Sequence, residues 1–299
     1  CVLLARDEQR LTGQPFIGML HPSDAALFEQ QSRDVAERSG TATFSVELRC
    51  TAGNGTDLWV ALHCGRFKDP DSSEDGLIYQ LQDITSRQVA EAQLQRLAYH
   101  DSLTELPNRA YFHAQLAKAV EASRIDPSMR FAVMFLDLDR FKVVNDSLGH
   151  FYGNELLREV GRRVQQCLRR NEVVARLGGD EFAVLLHNLY DTHDGLGLAE
   201  RILQALSKPL PVGGTEIIPS ASVGVTFSDL GYRTVDEMLR DADLAMYEAK
   251  AAGRGRVAVF DRTMHERIAD KLALEGDLRR AIGEGELSLS FQPLFDLEP

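Results

Sequence analysis

The feature that most constrains this chain is a glycine pair between two apolar runs. Residues 173–177 precede Gly178 and Gly179, and residues 182–186 follow after two acids, Asp180 and Glu181. Glycine tolerates positive φ, so this arrangement predicts a β-hairpin. The apolar alternation of the second run predicts a strand buried on at least one face. We therefore expect a hairpin that carries two adjacent carboxylates at its tip.

These two carboxylates have two interpretations. Adjacent negative charges repel one another and add nothing to packing, whereas Mg²⁺ binds carboxylate oxygens together with substrate phosphates. On residue types alone, a solvated acidic turn and a metal site are equally good interpretations. A second acidic element shifts the balance, because the apolar run 131–136 ends in Asp137 and is followed by Asp139. The two elements together favour the metal site.

The signature Gly-Gly-Asp-Glu-Phe at residues 178–182 and the segment 131–150 resemble the GGDEF family of diguanylate cyclases. That family condenses two GTP into cyclic di-GMP. The resemblance covers about residues 100–262 and is specific, because several separate motifs occur in order. It implies an α+β domain with a central, mostly antiparallel sheet flanked by helices, similar to the palm of nucleotidyl cyclases.

Composition bounds the remaining possibilities. The chain has 299 residues, 44% of them hydrophobic, which is enough for two globular domains. The net charge of −12 disfavours nucleic acid as a partner, because phosphate backbones select basic surfaces. The four cysteines show no CxxC spacing, and no apolar run approaches the roughly 18 residues of a membrane span. We expect a cytoplasmic fragment of a longer polypeptide, since residue 1 is Cys; any membrane anchor would lie outside it.

Residues 1–85 are similar to PAS sensor domains, with the opening strands of such a domain missing. The resemblance rests on a His-Pro-Ser-Asp element at residues 21–24, on Trp59 and on the ending Asp-Ile-Thr at residues 83–85. The PAS ligand stays unknown. We interpret His21 as a turn residue and His63 as a strand-surface residue rather than as ligands of a cofactor.

The rest of the chain divides into three segments. We expect residues 86–100 to form a linker or signalling helix and residues 101–262 to form the GGDEF catalytic domain. Residues 263–299 resemble a linker helix that is followed by the first strand of a truncated EAL phosphodiesterase domain. In the resemblance, the linker helix pairs in a dimer. Because each protomer supplies half of an active site for two GTP molecules, a homodimer is expected for catalysis.

The resemblance also assigns roles to individual residues. Asp137, the backbone carbonyl of Leu138, Asp180 and Glu181 would hold Mg²⁺ or Mn²⁺, with Asp180 helping to deprotonate the 3′-hydroxyl. The substrate would be bound by Lys142, Asn145, Asn154, Lys250 and Arg254. We interpret Asp139 as the N-cap of a helix that begins at Arg140.

Three positions depart from the family pattern. Asn154 stands where the family reads guanine with Asp, and a carboxamide offers one acceptor where a carboxylate offers two. Arg169 and Glu172 stand at the family's inhibitory site for cyclic di-GMP, where Glu replaces Asp. Glu105 replaces a turn glycine, a change that we expect to be harmless.

Three functions remain open at this point. The first is an active cyclase regulated by the PAS domain. The second is a catalytically weak domain that binds GTP and allosterically regulates a downstream EAL phosphodiesterase. The third, which makes the signature a coincidence, is a PAS-driven dimerisation module. The intact acids favour the first, whereas Asn154 and the tandem arrangement favour the second.

Overall fold

A computed structural model of the chain describes residues 3–37, 42–68, 75–288 and 290. The chain divides into two compact units, Cys1–Arg96 and Leu97–Pro299. Within the described ranges, no helix combines the length and the apolar character needed to cross a bilayer. The predicted EAL strand lies mostly outside these ranges, and its described residues, 287, 288 and 290, form neither helix nor strand.

The first unit is a small mixed domain. Its elements in chain order are α1 (Glu8–Leu11), α2 (Pro22–Glu37), β1 (Thr43–Thr51), β2 (Asp57–Lys68), β3 (Asp75–Asp83) and the start of α3 (Thr85–Tyr99). The strands form an antiparallel sheet in the order β1-β2-β3. Leu48, Val60 and Leu62 are fully buried in its core. A helix followed by three strands agrees with the sequence pattern; the assignment to the PAS class stays a prediction.

The His-Pro-Ser-Asp element fastens α2 to the sheet. The Asp24 carboxylate accepts hydrogen bonds from the backbone N–H of Arg49 at 2.9 Å and from its guanidinium at 2.9 and 3.0 Å. The guanidinium also lies 5.5 Å from the ring centre of Trp59. These contacts give the element a structural role. His21 lies at a turn, and His63 is exposed on β2 beside Ser45.

The second unit is a five-stranded sheet covered by helices on both faces. Its elements after α3 are α4 (Arg109–Ile125), β4 (Phe131–Leu138), α5 (Phe141–Leu148), α6 (His150–Cys167), β5 (Val173–Gly178), β6 (Glu181–His187), α7 (Thr192–Leu206), β7 (Leu210–Val212), β8 (Thr215–Ile217), β9 (Ala221–Phe227), α8 (Val235–Ala251), β10 (Val257–Val259) and α9 (Thr263–Glu284). The strand order is β10-β9-β4-β6-β5, and only the β10–β9 pair is parallel. The central, mostly antiparallel sheet flanked by helices agrees with the predicted fold class.

The central strand β4 is buried on both faces, which explains its continuous apolar sequence. Ala132, Met134 and Leu136 pack toward α6 and α7. Phe131, Val133 and Phe135 pack toward α4 and α8. Because neighbouring residues of a strand point to opposite faces, both layers are built from one run of residues. This packing fixes the end of β4, and with it the position of Asp137.

Helix α8 packs directly against the sheet at Gly224 of β9. A Cβ atom at this position would lie 2.0 Å from the carbonyl oxygen of Ala242 and 2.3 Å from the amide nitrogen of Met246. The Thr-Val-Asp-Glu sequence at residues 234–237 predicts a capping box at the start of α8, and the structure confirms it, because Thr234 and Glu237 each bond the other's backbone amide. The close contact holds the C-terminal end of α8 beside β4.

Several predicted boundaries differ from the structure. The sequence pattern predicts a helix over residues 198–206, but helix α7 already begins at Thr192, because Asp191 caps it by accepting from the Asp194 amide. Two glycines near its start lower its helix propensity and hide that signal in the sequence. The β7–β8 hairpin was not predicted, because three-residue strands are too short to show alternation. The sequence also predicts that the helix before β4 ends at residue 119, whereas helix α4 continues as far as Ile125.

Candidate active site

The hairpin tip lies directly beside the end of β4. Strands β5 and β6 pair antiparallel, and both tip glycines have positive φ, 141° at Gly178 and 53° at Gly179. In the β4–β6 pair, Asp137 is the register partner of Glu181. The Leu138 amide donates to the Asp180 carbonyl at 3.3 Å. The tip acids and the strand-end acid, which are more than 40 residues apart in sequence, are thus neighbours.

The acids of this site lie close together and are partly buried, so their negative charges repel one another, and a bound cation would reduce this repulsion. Burial raises the pKa of Asp137 above its ordinary value, and the charge of Asp180 adds to this effect, while Lys250 opposes it. Burial likewise raises the pKa of Glu181, with further contributions from Asp243, Asp137 and Asp180 that Arg109 opposes. Clustered carboxylates with elevated pKa values are typical of functional sites.

Lys250 already neutralises part of this charge. Its Nζ atom lies 2.7 Å from Oδ2 of Asp137, and the two side chains are 29% and 13% exposed. The ammonium group reaches the strand end from the last turn of α8. The structure therefore brings together two residues to which the family resemblance assigns different roles: Asp137 in metal binding and Lys250 in substrate binding.

Asp243 belongs to the same cluster and was missed by the sequence analysis. Its pKa is raised by burial and lowered by Lys250, and its charge raises the pKa of Glu181. A signal existed, because Asp243 lies seven residues before Lys250, on the same face of α8. The apolar pattern of α8 reports only its buried face, which does not include Asp243.

The residues present fit a divalent cation that shares its coordination with a substrate. Among the described residues, no group of three or more His, Cys, Asp or Glu side chains comes close enough to form a complete metal site. Mg²⁺ is usually bound by one or two protein carboxylates, waters and substrate phosphates rather than by an all-protein cage. The acids at Asp137, Asp180 and Glu181 match that pattern. Their role as ligands, with the Leu138 carbonyl, stays a prediction.

Arg109 supports the hairpin from the side. Its Nε donates to the Leu177 carbonyl at 3.3 Å, and Nη2 lies 3.6 Å from Oε2 of Glu181. Both distances are long, so the contact leaves the Glu181 carboxylate able to turn toward another partner. Arg109 begins α4, whose first turn is capped by the Asn108 side chain.

The predicted guanine-reading residues lie on α5 and α6. A Cβ atom at Gly153 would lie 1.9 Å from Oδ1 of Asn145, so only glycine leaves room for the Asn145 side chain. That oxygen is buried and has no hydrogen-bond partner in the structure. A buried acceptor without a partner is costly, and an N–H of a bound purine is one donor that would satisfy it. Asn154 follows Gly153 in the first turns of α6, and Lys142 is exposed near the start of α5.

Arg254 lines a cavity of about 420 Å³ beside the end of β4, which Leu138 also lines. Asp139, Phe141, Pro219 and Gly255 also line this cavity. The sequence interpretation of Asp139 as a helix N-cap is wrong. Arg140 occupies the N-cap position of α5 in a left-handed conformation, without a side-chain cap. The Asp139 carboxylate points away and accepts from Ser220, Ser222 and Gly255.

The predicted inhibitory pair lies at the opposite end of the hairpin from the acidic tip. Arg169 and Glu172 precede β5, whereas the tip follows it. Oε2 of Glu172 accepts from the backbone N–H of Arg169 at 2.7 Å, and the Glu172 amide donates back to the Arg169 carbonyl at 3.1 Å. The carboxylate thus stabilises a turn, and binding of cyclic di-GMP by this pair stays a prediction.

A hairpin with an acidic tip against a strand-end acid, on a sheet covered by helices, is what the GGDEF family is expected to present. The family profile for "Diguanylate cyclase, GGDEF domain" matches residues 98–256. That is more than half of the chain, and the chain therefore belongs to the GGDEF family.

Curated relatives include both phosphodiesterases and a bifunctional protein. The chain is 39% identical, over 96% of its length, to the cyclic di-GMP phosphodiesterase NbdA of Pseudomonas aeruginosa, and covers 35% of that protein. It is 40% identical, over 70% of its length, to the bifunctional diguanylate cyclase/phosphodiesterase MucR of the same organism, and covers 30% of it. The chain thus spans about a third of the length of these relatives.

A solved structure shares the fold of the second unit. The isolated GGDEF domain of TpbB from Pseudomonas aeruginosa superposes with a TM-score of 0.55 at 38% identity, covering 57% of this chain and 99% of that domain. The shared part corresponds in extent to the family match. The comparisons therefore place the chain in a family of cyclic di-GMP metabolism.

Proposed function

We propose that this chain is a diguanylate cyclase that condenses two GTP into cyclic di-GMP under the control of its N-terminal domain. In each of two steps the 3′-hydroxyl oxygen of one GTP forms a bond to the α-phosphorus of the other. The hydroxyl loses its proton, and the bond from the α-phosphorus to the leaving pyrophosphate breaks. Two such steps close the ring and release two pyrophosphates.

The observation that carries this proposal is the juxtaposition of Asp137 with the hairpin tip that bears Asp180 and Glu181. Bound Mg²⁺ or Mn²⁺ would neutralise the negative charge of the phosphate oxygens and would align the attacking and leaving groups. By the family resemblance, Asp180 would accept the proton of the 3′-hydroxyl. Lys250, which now pairs with Asp137, would exchange that partner for the anionic phosphates.

The remaining substrate contacts follow from the same arrangement. Asn145 and Asn154 would meet the guanine edge, because the Asn145 side chain packs against Gly153, the residue before Asn154. Lys142 and Arg254 would meet the triphosphate, since each lies near a chain segment that borders the end of β4. One protomer holds one GTP, so the reaction requires a homodimer in which two such sites face each other.

A second candidate function has its own support. NbdA, which is similar over nearly the whole chain, is named as a phosphodiesterase. In this alternative the domain binds GTP without turnover and regulates an EAL phosphodiesterase domain downstream. Asn154 favours it, because a weakened guanine contact lowers the substrate affinity that catalysis needs. Control by a PAS domain, a cytoplasmic location and the EAL partner are parts of the proposal that belong to the longer protein.

The deciding experiment incubates the purified chain with GTP and Mg²⁺ and separates the nucleotides by chromatography. We expect cyclic di-GMP and pyrophosphate in a ratio of one to two, with a specific activity that rises with protein concentration because two protomers must meet. Asp180→Asn should abolish product. Asp229→Asn, which changes an exposed acid at the other end of the sheet, serves as the matched control.

The same samples distinguish the two candidates. GTP binding measured by calorimetry without any cyclic product would refute the cyclase and support the regulatory domain. Equal product from the wild type and from Asp180→Asn would reveal a contaminating enzyme and refute the assignment of the site.

A further inference from the structure

The two acids at the end of β4 have different partners. Asp137 pairs with Lys250, as described above. Asp139 accepts from the Ser220 hydroxyl at 2.6 Å and from the Gly255 amide at 3.0 Å through Oδ2, and from the Ser222 hydroxyl at 2.8 Å through Oδ1. Both oxygens of Asp139 are therefore already engaged by serine hydroxyls and a backbone amide, whereas Asp137 pairs through Oδ2 with the mobile ammonium group of a lysine side chain.

The partners of Asp139 belong to two separate chain segments. Ser220 and Ser222 lie at the start of β9, and Ser222 is completely buried. The backbone amide of Asp139 also donates to the Ser220 carbonyl at 2.9 Å, so the contact involves both backbone and side chain. Gly255 lies in the loop that joins α8 to β10. One carboxylate thus fastens this loop to the edge of the candidate active site.

The loop that Asp139 holds has an unusual backbone. Gly253, Arg254 and Gly255 have φ angles of 117°, 63° and 59°. The family resemblance assigns Arg254, together with Lys250, to the terminal phosphates of the substrate. Arg254 is the one residue of the three with a Cβ atom. A left-handed conformation is unfavourable for such a residue, so the loop needs external contacts to keep it. The bond from the Gly255 amide to Asp139 is such a contact, one residue away from Arg254.

We propose that Asp139 is the positioning residue of the phosphate-binding loop. It holds Gly255, and through it Arg254, in the arrangement that receives the β- and γ-phosphates of a nucleoside triphosphate, and it is not a cation ligand. This inference rests on the proposed function, which supplies the triphosphate. Loss of the Asp139 carboxylate then weakens recognition of the terminal phosphates specifically, while recognition of the base and of the α-phosphate is retained.

The experiment compares GTP with GMP, both titrated calorimetrically at fixed Mg²⁺ into the full chain. Asp139→Ala should weaken GTP binding about tenfold or more, the usual consequence of losing bonds to a charged group. GMP, which has no terminal phosphates, should bind as before. Arg254→Ala should give the same pattern, and the double variant should bind GTP no more weakly than Arg254→Ala alone, because Asp139 acts through Arg254.

Two further variants make the comparison robust. Asp139→Asn keeps the shape of the side chain but places an NH₂ group, which cannot accept a hydrogen bond, opposite at least one of the donors. This variant takes the place of Asp139→Ala if Asp139→Ala does not fold. Asp126→Asn is the matched control, because Asp126 caps a turn just before β4, at the other end of the strand. Its GTP and GMP affinities should equal those of the wild type.

The outcomes separate the inference from the function on which it rests. Additive losses in the double variant, an equal loss of GTP and GMP, or unchanged GTP affinity in Asp139→Asn would overturn the positioning role. If the wild type binds GTP and forms no cyclic di-GMP, but the Asp139 variants still lose GTP and keep GMP, the loop assignment stands and only the cyclase proposal fails.

Discussion

Arg176 and Asp101 form a largely buried ion pair, with Nη1 of the arginine 3.0 Å from Oδ1 and 3.1 Å from Oδ2 of the carboxylate. Their side chains are 11% and 20% exposed. The same guanidinium donates to the Gly179 carbonyl, at 3.1 Å from Nε and 2.7 Å from Nη2. One arginine therefore connects the segment after α3 with the glycine tip of the hairpin.

This connection predicts a large effect of Arg176→Ala. The change leaves the buried Asp101 carboxylate without its counter-charge, and it frees the Gly179 carbonyl at the tip. Because breaking a largely buried ion pair leaves the remaining charge buried and uncompensated, the free energy of unfolding should fall by about 2–3 kcal/mol. Urea denaturation measures this change, and Arg176→Lys should recover only part of it, since a lysine cannot bond both partners at once. A loss below about 0.5 kcal/mol would place the pair among weak surface contacts.

Glu105 predicts a stabilising substitution. It occupies a left-handed conformation with a φ of 60°, at the turn where the family has glycine. That conformation costs a residue with a Cβ atom about 1–2 kcal/mol. Glycine avoids this cost, but part of the gain is offset because glycine loses more conformational entropy on folding. Glu105→Gly should therefore raise the free energy of unfolding by about 0.5–1 kcal/mol. Glu105→Ala separates the backbone from the side chain, because it keeps the strained backbone; equal stability of the two variants would contradict the argument.

The parts of the structure that the sequence predicted are those encoded by local patterns. The hairpin at Gly178 and Gly179 and the buried strand before Asp137 follow from glycine chemistry and apolar periodicity. The register that brings Asp137 opposite Glu181 follows from neither pattern; only the family resemblance implied it.

The parts that the sequence did not predict depend on contacts between distant segments. Asp139 bonds residues 81 and 116 positions away, and the interpretation as a local N-cap failed because Arg140 takes a left-handed conformation instead. The Asp101–Arg176 pair spans 75 positions. No periodicity reports such contacts, since each depends on how the sheet and its loops assemble.

Gly153 predicts a selective loss of nucleotide binding. Gly153→Ala would place a Cβ atom where Oδ1 of Asn145 now lies, so the Asn145 side chain must leave its position. We expect GTP affinity to fall about tenfold, which corresponds to the loss of one good hydrogen bond to the base. Gly197→Ala is the matched control, because Gly197 is also helical and its Cβ would meet nothing within 4 Å. Calorimetric titration of both variants should show the loss only in the first, and unchanged affinity in Gly153→Ala would argue against Asn145 as a base contact.

Glu159 predicts a pH dependence of stability. The hydrogen bond from Arg162, followed by that from Arg163, lowers the pKa of Glu159 to about 2. A carboxyl group whose pKa is lower in the folded state than in the unfolded state stabilises the fold. The stabilisation is fully present when the pH is above the unfolded-state pKa, near 4.5, and it is lost as the pH falls toward the folded-state pKa of about 2. Glu159→Gln should therefore cost about 1 kcal/mol at pH 7, a value limited by solvent screening, and progressively less below pH 4.5.

Measurement of unfolding free energies by denaturant at several pH values tests this dependence. The difference between the wild type and Glu159→Gln isolates the one carboxyl, because the other titrating groups are common to both. Glu216→Gln, at an exposed position of β8, should show a difference near zero throughout. A cost of Glu159→Gln that does not change between pH 7 and pH 3 would rule out the ion pair as its source.

Asn154 predicts a change in base selectivity. Its carboxamide presents one acceptor oxygen, whereas an aspartate can accept from both guanine N1–H and the exocyclic amino group. Asn154→Asp should therefore strengthen GTP binding about fivefold to tenfold through a charge-assisted bond, with no gain for ATP, whose N1 is an acceptor. The GTP-to-ATP affinity ratio, measured by competition against a fluorescent GTP analogue, reports this change. Asn188→Asp, an exposed substitution just beyond β6, serves as a control for the added charge. An unchanged ratio in Asn154→Asp would mean that Asn154 does not contact the base, and that the departure from the family pattern at this position leaves GTP recognition unaffected.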